Sequence, residues 1–588
     1  MLQTFHLNLE KVRNLSEVYI FFNAVISQIC IMKKAVIAGV TGTIALSTGF
    51  YLYHTMGKKE RMVDMDFDIT KFHFREPNEI TELDRKIVEL ARDYAPQAIE
   101  LIHDLIKIPA DHYEEDPLCG TTNHETSRLE YLKQYIIDKR AVDNAEDVFY
   151  DEFGNLVWTI RDSEDTTPLD DLKVIYFDGH SDTVKPFPDN WHSVLGEGID
   201  PFNGLTDITK VNEENMRKEL KYLPPKDKWD HLLFGCGSVD QIQGLVSQVF
   251  ATKILLETCN LGSLRGIKIV SIATVAEEEN VGGGPMYYLR HQSGLQPNQI
   301  PDCVVLTNAT GDIDLGPCGI YIGHRGQCQI EVEVIGHSCN GAIPNVGVNP
   351  LEYGSLIIAE ASQQARNGFG ENKFLGKGTR TATKCCVESP SICSVPSKFT
   401  FRLDRRLTLE ETAEQAIKEL NELTSVQRAR KAGCIVNIKI PNYTQKTHKG
   451  VAPNNEENYN TWLTHPSDPV VRSAVDTYKR VVSPNVDDLP ISPENIPKKP
   501  RIHKWACATD GVGYIFKNKD LKFSVENKNW CKTQTFTYPP MFGIGAGFEQ
   551  HSHKLGEYIH KDHIWAPIAV IARFPSVFLQ KRHEADQK

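Results

Sequence analysis

Four stretches of this chain carry residues whose types and spacing suit hydrolytic chemistry at a metal. In FDGHSDTV (177–184) an apolar run, VIYF at 174–177, leads into His180 and then Asp182. Residues i and i+2 of an extended segment share a face, so Asp182 reaches back toward His180. A carboxylate that accepts the second ring N–H is the usual orienter of a metal-ligating histidine. In isolation an H-x-D triplet reads more readily as a surface turn; its company changes that. GCGSVDQIQG (235–244) puts Asp240 in a glycine-rich turn ahead of a helical stretch. The two oxygens of Asp240 can each bind a cation, although the position suits an N-cap equally. TVAEEENVGGG (274–284) ends a buried strand with three consecutive glutamates. Like charges this close raise one another's pKa unless a cation neutralises them. One glutamate can then ligate while its neighbour faces the substrate as general base. GIGAGFEQHSHKLGEYI (543–559) brings His551, His553 and Glu557 after another glycine turn, and His553 completes a His/Asp/Glu set. Imidazole and oxygen ligands suit Zn²⁺, Co²⁺ or Mn²⁺. Such ions acidify a bound water and polarise an amide carbonyl.

The elements that must position these residues follow from periodicity. Residues 80–110 have apolar positions at helical spacing and end at Pro109; 146–161 alternates around FGN and reads as a hairpin. Residues 174–177 and 266–275 read as buried strands, with an amphipathic helix over 244–259 between them. Residues 205–231 are charged, contain Pro224-Pro225 and read as an inserted loop. Alternating strands and helices imply an α/β sheet whose ligands bind beyond the carboxyl ends of its strands. The pattern changes at 326. Strands over 326–336 and 434–440 flank a helix over 409–423, which predicts a small α+β domain inserted in the first. Residues 444–500 read as long surface loops, and 537–581 returns to the first sheet.

With 588 residues and a formal net charge of −12, the chain is long enough for two or three cores. The acidic balance and the lack of a basic run argue against nucleic acid as a partner. The 14 cysteines form no paired CxxC framework and lean toward reduced thiols. AVIAGVTGTIALSTGFYLY (35–53) is uncharged, lies between Lys33-Lys34 and GKKER, and is just long enough to span a bilayer. It predicts a protein anchored to a membrane by a single N-terminal helix. The alternatives are a mobile or cleaved leader, and a cytoplasmic protein. Met32, followed by two lysines, is an alternative start.

GHSDTV, GCGSVDQIQG, AEEEN and HKLGE, in this order, resemble the family of dizinc aminoacylases, acetylornithine deacetylases, succinyl-diaminopimelate desuccinylases and glutamate carboxypeptidases. The resemblance covers roughly 80–585. It is nearest the YgeY-type branch through FLGKGTRTAT (374–383), SPSICSV (389–395), LDRRLTLEET (403–412), KWACATDGVG (504–513) and the GIGAG turn. It implies a zinc-exopeptidase-like catalytic domain, with a mixed sheet and helices on both faces, carrying an inserted α+β lid or dimerisation domain. The implied organisation is a leader over 1–61, catalytic parts over 62–325 and 443–588, and the insertion over 326–442. It also implies a homodimer. Carried over residue by residue, His180 and Asp240 bind one metal, while Asp240, Glu278 and His553 bind the other. Glu277 is the general base and Asp182 orients His180.

Two positions depart from the family pattern. Where the family has an acidic ligand, LTNATGD (306–312) has Asn308, a neutral and weaker donor; Asp312 is its nearest acidic substitute. The site then holds one or two ions. In GHSCNGAIP (336–344) Asn340 replaces a histidine that, in the family, reaches a neighbouring active site to stabilise the oxyanion. An amide can donate a hydrogen bond there but brings no charge. Arg325 suits a hinge or carboxylate contact, Arg405 and Arg406 suit structural pairing more than substrate binding, and Asp510 suits an Asx-turn or the wall of the site. The whole predicts a metal-dependent hydrolase that cleaves an amide or peptide bond of a small substrate, a dipeptide or N-acyl amino acid, through a metal-activated water. The competing expectation is a catalytically impaired relative that serves as a binding or scaffold protein.

Overall fold

A computed structural model describes residues 65–586 apart from 78, 112–124, 206–207 and 292–294. The apolar run 35–53, and with it the expected membrane anchor, lies outside the described residues. Among the described residues no helix is long and apolar enough to cross a membrane.

The strand Lys173–His180 (KVIYFDGH), rich in β-branched and aromatic residues, is buried beyond its first position. It pairs in parallel with Ile267–Thr274 on one side and Cys303–Leu306 on the other. Met541–Gly543 adds a further parallel strand beside Cys303–Leu306. The predicted hairpin, Val148–Tyr150 and Leu156–Arg161, joins antiparallel at one end. Ile320–His324, Trp462–Leu463 and Ile502–Trp505 complete a nine-stranded mixed sheet.

Successive side chains of a strand face opposite ways, and the two cores follow from that. Ile175, Phe177, Ile267 and Ile269 pack beneath the helices Glu82–Ile106, Gln243–Glu257, Pro469–Val481 and Trp565–Asp586. Val174, Tyr176, Val270 and Ile272 face the other way, against the helix Gly283–His291 and the segment 510–541. The sheet is therefore mixed, with helices on both faces, as its α/β pattern predicts. Glu82–Ile106 starts at a capping box: Thr81 accepts from the N–H of Asp84, and Asp84 accepts from the N–H of Thr81 at 2.7 Å.

Three local expectations need correction. The helix Gln243–Glu257 is buried around nearly its whole circumference rather than amphipathic, because the sheet lies on one side and two helices on the other. The stretch 205–231 is not a simple loop. It forms the helix Glu213–Glu219 and buries Met216, Leu220 and Trp229 in a satellite core with Trp191 and Tyr558. The stretch 444–500 contains the strand Trp462–Leu463 and the helix Pro469–Val481, capped by Asp468. Val470, Val471, Ala474, Val475, Tyr478 and Val481 in that helix recur at helical spacing and are buried.

A second sheet is antiparallel throughout: Thr379–Glu388, Lys398–Leu407, Gly326–Ile335 and Ile435–Lys439, with Asn458–Tyr459 added on Gly326–Ile335. Every second residue of Gly326–Ile335 is buried. Cys328, Ile330, Val332 and Val334 pack with the helices Pro350–Asn367, Ala413–Asn421 and Thr424–Lys431 in a core of their own. That is an α+β unit with one covered face.

Candidate metal centre

His180 is the last residue of the Lys173–His180 strand and is buried. Its Nδ1 lies 3.0 Å from the backbone oxygen of Asp182 and 3.6 Å from the carboxylate Oδ1. The carbonyl is thus the closer partner of the ring. Its Nε2 faces Asp240 Oδ1 at 3.1 Å and Glu277 Oε2 at 3.7 Å. The carboxylate of Asp182, also buried, does something the H-x-D spacing does not reveal. Its two oxygens accept the backbone N–H groups of Glu277 at 3.1 Å and Glu278 at 3.0 Å. One side chain therefore ties the end of one strand to the loop after its neighbour.

Asp240 sits in the turn ahead of Gln243–Glu257 and bridges two imidazoles, with Oδ1 toward His180 and Oδ2 3.3 Å from His553 Nε2. Glu278 Oε2 lies 3.0 Å from the same His553 nitrogen, and Glu278 Oε1 accepts from the N–H of Val184 at 3.1 Å. His180, Asp240 and Glu278 each offer a ligand atom within 4.8 Å of the others.

Burial opposes a charged His180, but Glu277, Asp182 and Asp240 outweigh it and hold the imidazole well above its ordinary range. Glu278 foremost, against burial and helped by Asp240, raises His553 to about 12. Burial pushes the carboxyl of Glu277 well up, opposed by His180 and reinforced by Asp510, Glu278 and Asp240. The surrounding carboxylates thus favour the charged form of both imidazoles, the neutralising part that divalent cations would otherwise play.

Asn308 is buried on the wall of the same cavity as Asp240, Glu277, Glu278 and His553, and its Oδ1 has no hydrogen-bond partner among the described residues. Asp312 does not take its place. Asp312 accepts from the N–H groups of Asp314 and Leu315 and from Gln550, and does not line the cavity. The donor set therefore fits a cation: two imidazoles, a bridging carboxylate, a second carboxylate and an orphaned amide oxygen.

Asn340 is not brought to this centre. It lies in an exposed loop of the second sheet's unit, where its Oδ1 accepts from the N–H of Ala342 at 2.9 Å. Arg405 is buried and paired with Glu411 at 2.8 Å, which is the structural role expected. Arg406, paired with Asp404 at 2.7 Å, lines the cavity together with Arg402 and Lys384. Arg325 donates to the backbone oxygens of Lys377 and Ala506. Asp510 lies behind the centre, where it accepts from Thr274 and Gln241. His551 is buried, held neutral by desolvation, against the ring of Tyr558. The cavity measures about 620 Å³ and has the two sheets' units on its walls.

The fold is similar to that of M20-family peptidases, with a match to a peptidase dimerisation domain. Residues 322–430 match the family described as peptidase dimerisation domain. Among solved structures, human carnosine dipeptidase 1 superposes with a TM-score of 0.54 at 12% identity, covering 85% of this chain and 100% of that one. The Saccharomyces cerevisiae dipeptidase Dug1p gives 0.54 at 10%, covering 85% and 99%. The M20 family metallo-carboxypeptidase of Sulfolobus solfataricus gives 0.52 at 13%, covering 82% and 99%. In sequence, the chain is 26% identical over 493 residues to the uncharacterized protein YgeY of Escherichia coli, covering 84% of this chain and 97% of that protein. These matches bear out the resemblance drawn from the motifs, including its YgeY branch.

Proposed function

We propose that this chain is a metal-dependent hydrolase of the amide or peptide bond of a small substrate, a dipeptide or N-acyl amino acid. The observation that carries the reading is the convergence of His180, Asp240, Glu278 and His553 at one cavity, whose wall carries Asp240, Glu277, Glu278 and His553. About 620 Å³ is the volume of a small-molecule site.

His180, Asp240, Glu278, His553 and Asn308 would hold one or two cations, zinc foremost, with cobalt and manganese as alternatives. When bound, such a cation supplies Lewis acidity toward a water and a substrate carbonyl. The chain's own part falls to Glu277. It lines the cavity, and burial raises its carboxyl, which suits a group that takes a proton from water and returns it to the leaving amine. Asp182 fixes the backbone on both sides of Glu277. Asn340 would act on the site of a second copy, and the match at 322–430 supports a homodimer. We assign the inserted lid or dimerisation domain to 326–442, between catalytic parts over 62–325 and 443–588.

The test is metal content of the full-length protein together with the Glu277→Gln variant. The expected result is stoichiometric zinc in both, and a fall in kcat of about 10²–10⁴-fold in the variant on a dipeptide hydrolysed by the wild type. A wild-type protein that binds no divalent metal would sink the reading. One that binds metal but turns over no dipeptide or acyl amino acid would favour the non-catalytic relative that the amides at 308 and 340 suggest.

A further inference from the structure

The loop that carries Glu277 and Glu278 is held by more than Asp182. Four consecutive backbone N–H groups in it end on side-chain oxygens brought from elsewhere in the chain. Val275 donates to Asn155 Oδ1 at 3.1 Å and Ala276 to Glu125 Oε1 at 2.8 Å; Glu277 and Glu278 donate to Asp182. Asn155, Glu125 and Asp182 are all fully buried. The loop needs holding, because Ala276 sits at φ 57°, a left-handed conformation that costs energy for a residue with a Cβ.

Glu125 opens the helix Glu125–Asp138. One turn on, Arg128 reaches the other half of the centre: its Nη1 donates to the backbone oxygen of Ser181, next to His180, at 2.6 Å, and its Nε to those of Leu105 and Ile108. A single helical turn thus touches the backbone beside His180 and the backbone beside Glu277. Residues three apart share a helix face, so the spacing between the two contacts is set by the helix itself.

We infer that Glu125 is a positioning residue that holds the Ala276 amide, and through it the Glu277–Glu278 carboxylates, at a fixed separation from His180. Neither Glu125 nor Arg128 lines the cavity. The inference deepens the hydrolase reading and rests on it for its kinetic arm. Burial, with Asp182 nearby, pushes the carboxyl of Glu125 well above its ordinary range, so a neutral acceptor of the same length should serve as well.

The test compares Glu125→Ala, Glu125→Asp and Glu125→Gln. Amide hydrogen exchange is followed by mass spectrometry in peptides spanning 270–284 of the metal-free full-length protein. Glu125→Ala and Glu125→Asp should accelerate exchange there by about tenfold or more, since one removes the acceptor and the other withdraws it by a methylene. Glu125→Gln should match the wild type. On zinc-loaded protein with the dipeptide the wild type hydrolyses fastest, Ala and Asp should lower kcat by about 10²-fold with KM within twofold, and Gln should restore it. Unchanged exchange in Glu125→Ala would overturn the inference. So would a Gln variant as impaired as Ala, because charge rather than an acceptor would then be the agent. If Glu125→Ala does not fold, the Asp and Gln pair carries the test alone. The exchange arm needs no turnover, so a chain that hydrolyses nothing fails the Glu277→Gln test and leaves this one standing.

Discussion

Asp182→Asn is the perturbation that most directly probes how this centre is built. The two carboxylate oxygens of Asp182 each accept one loop N–H, Glu277 on Oδ1 at 3.1 Å and Glu278 on Oδ2 at 3.0 Å, in a fully buried setting. An asparagine has one acceptor oxygen and one NH₂ group. Whichever way it turns, one loop N–H faces a donor and loses its bond. Leaving a buried N–H unsatisfied costs about 1–3 kcal/mol, which should appear as a lower denaturation midpoint of the metal-free protein. The substitution also removes the negative charge 3.6 Å from His180 Nδ1 and loosens the peptide that carries Glu278. Loss of an outer partner of this kind weakens metal binding by about 10–100-fold. Zinc titration calorimetry on the chelator-stripped protein measures that loss, and urea denaturation in chelator measures the first. If both the midpoint and the zinc affinity of Asp182→Asn stay at wild-type values, Asp182 does not couple the His180 strand to the glutamate loop, and the account of the centre falls.

Asn308→Asp should tighten zinc binding by about tenfold or more, since an anionic oxygen would replace the orphaned amide oxygen. The same variant should be less stable without metal, because it adds a carboxylate beside Asp240, Glu277 and Glu278; opposite shifts in metal titration and in the chelator midpoint check this. His563 is buried beside His560, and desolvation first, then His560, depress its imidazole to about 3. Its folded pKa lies below the unfolded value of about 6.5, so the stability it contributes is full above pH 6.5 and is lost as pH falls toward 3. Between pH 7 and 5 the wild type should lose about 2 kcal/mol that His563→Gln keeps. A constant difference between the two denaturation curves would refute the buried neutral histidine.

The reactive residues of this chain are legible in one dimension because each lies just past a strand or in a glycine turn. His180 ends an eight-residue strand, Glu277 and Glu278 follow another, and both strands announce themselves by their apolar runs. The order of the motifs carried the fold class for the same reason: a βα alternation with a switch at residue 326 allows few topologies. The helix Pro469–Val481 was legible too, through its apolar spacing and its Asp468-Pro469 start, but it is short and sits among Asn- and Pro-rich turns that suggest a loop.

Tertiary structure alone decided which polar groups support the centre. Glu125 is 151 residues from the amide it accepts and Asn155 is 120 residues from its own, and neither stands in a pattern that local chemistry could mark. Likewise, only the folded loop shows that Asn308, not Asp312, faces the cavity, because Asp312 spends both oxygens on its own turn and on Gln550. Residue types and spacing along a strand or helix report what a segment can present on a face. Which distant segment that face meets is set by packing, where the cost of burying an unpaired polar group favours a partner from wherever the chain supplies one.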